Sequence, residues 1–133
     1  MGVVYVKPSA DLQGLQPAGI RILAAVDHCA QGLDVDLTIT CGTDSHDIND
    51  PHTRGVALDI RTSDLLNAQI VKIHAFLTEM LGPSFTVLYE TPSLPEAPEL
   101  AAIAYVNKKA TGQHYHIQLK RGTVTWPPVR MLA

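Results

Sequence analysis

Aromatic residues are scarce in this chain, at 5% of 133 positions with a single tryptophan, Trp126. Its core must therefore be built mainly from aliphatic side chains. Cysteine is scarcer still. Cys29 and Cys41 are too few for a disulfide framework and are not spaced as a CxxC metal pair, so free, partly buried thiols are expected. Cations are not in excess, since 10 lysines and arginines stand against 13 acidic residues for a net charge of -3. Phosphate binding needs clustered cations, and the pairs Lys108-Lys109 and Lys120-Arg121 are too short to supply them, so no nucleic-acid partner is expected. Long apolar runs are missing as well. No segment approaches the ~20 residues that span a bilayer, which argues against membrane insertion. The start, MGVVYVKPSADLQ, lacks the basic end and apolar stretch of a signal peptide. The expectation is a protein made in the cytoplasm, acting elsewhere only if released or exported.

What is present suits a single domain over residues 1–133, expected to be monomeric. A hydrophobic share of 46% is ordinary for a globular protein, and a chain of this length should bury roughly two-thirds of its unfolded surface. Residues 1–16 read as an irregular lead-in. Pro17 suits a first helical turn, with Ile20, Leu23, Ala24 and Val26 near one face and an end near Gly32. VDLTITC (35–41) alternates as a strand does, and 42–54 is a polar loop. VALDIRT (56–62) is a second strand. Thr62 or Ser63 is expected to cap a second helix, with Asp64 near its positive end. Ile70, Ile73, Leu77 and Leu81 hold helical spacing until Gly82-Pro83 ends it. FTVLYE (85–90), AAIAYV (101–106) and HYHIQLK (114–120) read as further strands around the Pro-rich loop 91–99. This is one α+β domain.

The chemistry concentrates in DPHTRGVALDI (50–60) and HYHIQL (114–119). On a strand, Ala57, Asp59 and Arg61 share one side while Val56, Leu58 and Ile60 supply the core. A carboxylate opposite the greasy face is tolerated when exposed, paired or bound to a cation. His52 can fold back across Gly55, and alternation puts His114 and His116 on one face. Two neighbouring strands would then converge three histidines on Asp59. Two imidazoles and a carboxylate suit zinc with an open fourth position, leaving the third histidine to handle protons. Glu90, at a strand end, is a candidate second acid–base group, with a plain solvated carboxylate as the alternative. Arg54 and Arg61 are candidates for gripping a substrate carboxylate, against plain surface charge. His46 is a further candidate ligand, against a solvated loop histidine. His28 and His74 fall on helices, where a helix-face or core role is expected, and Leu77, Met80 and Leu81 read as core.

HTRGVALD resembles the HxxGxAxD signature of the zinc D-Ala-D-Ala carboxypeptidase and endolysin-type peptidases, and HYH resembles their closing HxH. TITCGTDS (38–45) is similar to their turn of the type TSGYRS, so the likeness runs in order from about residue 36 to 119. The resemblance implies His52, Asp59 and His116 as zinc ligands and His114 as the catalytic histidine. It also implies an antiparallel sheet of about four to five strands flanked by two helices, in the hedgehog/DD-peptidase manner, and peptidoglycan stem peptides as substrate. Two departures stand out. Asp44, or His46 if the register slips, occupies the arginine's place in the turn, which weakens recognition of a free C-terminus and favours an endopeptidase over a D,D-carboxypeptidase. Asp50 replaces a serine two residues before the first histidine. The alternatives are a non-catalytic metal-containing binding module of the same fold and a cytoplasmic D,D-dipeptidase.

Overall fold

A computed structural model describes residues 2–44, 47 and 49–123. Along the chain come β1 (Val4–Val6), α1 (Pro17–Leu33), β2 (Leu37–Cys41), β3 (Ala57–Arg61), α2 (Asn67–Leu81), β4 (Phe85–Thr91), α3 (Pro98–Ala101), β5 (Ala104–Val106) and β6 (His114–Leu119). The strands form one sheet in the order β1-β2-β3-β6-β4-β5. Its four central strands pair antiparallel, while the outer pairs β1/β2 and β4/β5 are parallel. The α+β class is as expected. The purely antiparallel sheet of four to five strands with two helices is corrected to a mixed six-stranded sheet with three helices among the described residues. The added pieces are short. β1 lies inside the expected irregular lead-in, and β5 keeps only the end of the expected strand 101–106. Three residues are too few for alternation to be legible, and Pro98 opens α3 where a loop and a strand were expected. Among the described residues no helix is long and apolar enough to cross a membrane.

The strand registers divide the sheet into two chemistries. Leu58 stands opposite Ile117 and Ile60 opposite Tyr115, with Tyr89 and Val87 beyond them on β4. Leu58, Ile60, Tyr115, Ile117 and Tyr89 are all at 0% exposure, and this face carries the helices. α1 buries Ile22, Ala25, Val26, Cys29 and Ala30, a stripe of mostly small residues that lets the helix lie close to the sheet. Ile20, expected on that stripe, is 55% exposed. α2 buries Ile70, Ile73, Leu77 and Leu81 as their spacing predicts, and the Tyr115 hydroxyl donates to the Ile70 carbonyl. On the other face the same registers set Asp59 opposite His116, and His114 between Arg61 and Glu90.

The cap of α2 differs from expectation. Thr62 is only 1% exposed and its hydroxyl finds no partner among the described residues. A backbone turn from Thr62 to Leu65 delays the helix, and Gln69 Oε1 accepts from the Leu66 N–H at 2.8 Å instead. α1 starts at Pro17 as expected and ends on Asp34, left-handed at φ 53°, whose N–H reaches the last carbonyls.

Gly55 fastens the loop before β3 to the start of α1. Its φ is +75°, and a Cβ there would stand 2.4 Å from the Gly14 carbonyl oxygen. Gly55 O in turn accepts from Gln16 N at 3.0 Å, and Gly19 packs so closely that its own Cβ would sit 2.2 Å from that oxygen. Gly55→Ala therefore faces both backbone strain and a clash, and is expected to lower stability by about 1–3 kcal/mol. Gly112→Ala is its control, with nothing within 4 Å of the added carbon. Urea denaturation of both variants measures this, and equal stability of the two would refute it.

Candidate metal centre

Asp59 occupies the middle of β3, on the face away from the helices, with 18% of its side chain exposed. Pairing with β6 places His116 directly across from it, and His116 Nδ1 lies 2.8 Å from Asp59 Oδ1. His52 arrives from the loop. The Asp50 carboxylate accepts the His52 backbone N–H at 2.9 Å and so shapes the turn that carries the histidine. Gly55 N donates back to the His52 carbonyl. The turn carries His52 Nε2 to 3.1 Å from the same oxygen, Asp59 Oδ1. Both imidazoles thus point at one atom, their rings 5.1 Å apart.

The far nitrogens decide what this arrangement means. His52 Nδ1 lies 2.9 Å from the Gly42 carbonyl oxygen, and His116 Nε2 lies 2.7 Å from Gln118 Oε1. Each oxygen can only accept, so each far nitrogen must carry its proton. The near nitrogens of neutral rings then meet the Asp59 carboxylate lone pair to lone pair. Two things relieve that clash, a second proton on each ring or a cation between them. Tying the outer nitrogen to a carbonyl is also how metal-binding histidines are oriented.

Without a cation, protons take that place. Burial alone would raise the Asp59 carboxyl, but hydrogen bonds and positive charge from His116 and His52 hold it well below the usual carboxylate range. Burial would lower both histidines, yet the Asp59 hydrogen bond and charge raise them above the ordinary imidazole value.

His114 lies one row along. Its Nδ1 faces the Gly112 carbonyl at 3.1 Å, so Nε2 is the working nitrogen. Nε2 stands 3.3 Å from Glu90 Oε1 and 3.9 Å from Asp59 Oδ2. His52, Asp59, Glu90, His114 and His116 together line a cleft of about 460 Å³, with Asp47, Asp50, Gln118 and Arg121 around them. Among the described residues its four carboxylates outnumber the single lining arginine, Arg121, which favours positively charged guests.

Neither predicted arginine lines the cleft itself. Arg54 is exposed on the turn and lines an adjoining cavity that shares Pro51, Gln118 and Arg121 with the cleft. Arg61 sits opposite His114 in the ladder but does not line the cleft. Arg121 does. Asp44, in the arginine's place, accepts from the Gly42 and Asp11 N–H groups and braces the turn. His28 is exposed on α1, and His74 stacks on Tyr115. His46 and Trp126 lie outside the described residues.

Besides Asp47, three contributors escaped the sequence reading. Gln118 was within reach of it, because continuing the alternation of His114 and His116 lands there. Arg121 follows the end of β6, where alternation gives no guide. Cys41 was hidden by a β-bulge. Register shifts by one residue between Ile39, opposite Ile60, and Cys41, opposite Asp59. Strict alternation from Leu37 and Ile39 would have aimed Cys41 into the core. Instead Cys41 Sγ, a His52 nitrogen and an Asp59 oxygen lie within 4.8 Å of one another, close enough to hold a metal ion. Burial, then the Asp59 and Asp44 charges, push the free thiol up to about 12. Comparison with protein-family models, curated proteins and solved structures finds no match to this chain.

The metal-free protein should show a distinctive pH profile. Asp59, lowered from 3.8, adds stability that is present above that value and lost as pH falls through its folded pKa. His52 and His116, raised from 6.5, add stability that is present below that value and lost as pH rises through theirs. The cluster therefore stabilises most between pH 3.8 and 6.5. Urea midpoints measured under chelation are expected to differ most between wild type and Asp59→Asn inside that window, and to converge on either side. A difference that keeps growing above neutral pH would contradict the assignment.

Proposed function

We propose that the chain is a zinc-dependent peptidase that hydrolyses peptide bonds in bacterial peptidoglycan stem peptides, with His52, Asp59 and His116 as metal ligands. One observation carries the metal reading. Two imidazoles, each with its outer nitrogen committed to a carbonyl oxygen, converge on a single carboxylate oxygen. The donor set suits zinc, being nitrogen and carboxylate oxygen around a cleft that keeps one side open. The substrate class comes from the likeness of HTRGVALD and HYH to the peptidase signatures, whose histidines and aspartate line this cleft.

Bound there, the metal would polarise the scissile carbonyl and acidify a water. The protein's own groups handle the protons. Gly112 fixes the His114 tautomer, and Glu90 stands at ion-pair distance from Nε2. Glu90 and His114 take the proton of the attacking water and deliver it to the leaving amine, and the imidazolium faces the developing oxyanion. Asp44 in the turn offers no grip on a terminal carboxylate, which favours endopeptidase action inside the stem peptide over removal of a terminal D-alanine.

Two groups of variants test this reading. His52→Ala, Asp59→Ala and His116→Ala are each expected to lose most of the roughly one zinc per chain, read by elemental analysis. His114→Ala and Glu90→Gln are expected to keep the zinc and the fold while turnover falls about 10²–10⁴-fold. Turnover is followed by mass spectrometry of peptidoglycan fragments. Zinc at full occupancy in all three ligand variants would end the site assignment. Zinc binding by the wild type with no release of wall peptides would make the chain a binding module.

A further inference from the structure

The bulge in β2 has a chemical product. It places a thiol on the same ladder row as Asp59, on the side opposite His116. Cys41 Sγ, His52 and Asp59 already lie within 4.8 Å of one another. Donors held at about 2.0–2.3 Å around one tetrahedral ion stand roughly 3.3–3.8 Å apart, so about 1 Å of contraction would suffice. The surroundings suit a bound sulfur. The Gly42 carbonyl that follows Cys41 is the group orienting His52 Nδ1, so thiol and imidazole are positioned by one backbone turn. Asp44 holds that turn through Gly42 N at 2.7 Å. Cys41 does not line the cleft. A donor there approaches from the β2 side and leaves the His114–Glu90 side to the substrate.

We propose that Cys41 is a metal donor, so that the centre binds a thiophilic divalent cation through sulfur, nitrogen and oxygen together. This rests on the metal reading above and makes four protein donors with its three ligands, so that water or substrate would enter as a fifth from the His114–Glu90 side. As the sulfur–metal bond forms, the thiol releases its proton to solvent, and no oxidation state changes. Thiolate is the softest donor in the set and biases the site toward zinc or cobalt over magnesium or calcium.

The test is cobalt(II) loading of the full chain under reducing conditions, followed by absorption spectroscopy. The wild type is expected to show visible ligand-field bands together with an intense near-ultraviolet sulfur-to-cobalt charge-transfer band. Cys41→Ser should keep the first and lose the second. Its zinc affinity, from competition with a chromophoric chelator, should drop by more than the roughly 10–100-fold that loss of an outer-shell partner costs. Should Cys41→Ser fail to fold, Cys29→Ala decides by elimination, because Cys29 is at 0% exposure in the core and the charge-transfer band must survive its loss. Ligand-field bands without a charge-transfer band in the wild type, or a band that persists in Cys41→Ser, would overturn the role of Cys41 and leave the other ligands standing. Absence of any stoichiometric cobalt or zinc would overturn both.

Discussion

Asp59 Oδ1 is the atom on which the site is organised. It lies near the middle of a central strand, so backbone ladders on both sides fix it, and it receives one histidine from the sheet and one from a loop. A carboxylate held this way off the surface is stable only with positive charge against it. Everything around it follows from that demand. The Gly55 turn exists to bring His52 back, and the registers of β3, β6 and β4 bring His116, His114 and Glu90 into two adjacent rows.

The sheet separates durability from chemistry. One face is closed by α1 and α2 over aliphatic residues and two tyrosines, and owes nothing to the cleft histidines. The other is left free of helices and carries the polar rows. A metal taken from the polar face would leave the apolar face intact, so the fold does not depend on the ion as a small zinc finger does. The two faces meet through the strands, where Leu58 and Ile60 flank Asp59 and Tyr115 separates His114 from His116.

Legibility in the sequence followed periodicity. Periodicity gave the buried stripe Ile70, Ile73, Leu77 and Leu81 and the alternation that gathers His114, His116 and Asp59 on one face, while in α1 it found the helix but set Ile20 on the wrong side. His52 was read instead from the glycine turn that lets it fold back, and Asp47, which also lines the cleft, was not read at all. Where structure turns on a count of one residue or on a contact distant in sequence, the pattern was silent. β1 and β5 are too short to alternate. The start of α2 depends on Gln69 rather than on the hydroxyls of Thr62 and Ser63, because Thr62 is needed inside. Alternation put Arg61 on the row of His114, where the ladder has it, but how far a long side chain at a strand end or on the turn of Arg54 reaches into the cleft is not encoded by alternation.

The β2 bulge makes the identity of one inward-looking side chain a matter of counting. With the extra residue, Cys41 stands beside Asp59; without it, Thr40 would take the same seat while Leu37 and Ile39 kept their places in the core. Deletion of the Cys41 codon would therefore exchange sulfur for a hydroxyl and leave the hydrophobic layer unaltered. On the proposed role of Cys41, the centre's hardness toward metals would drift by insertion and deletion as readily as by substitution, in a strand whose packing would not register the change.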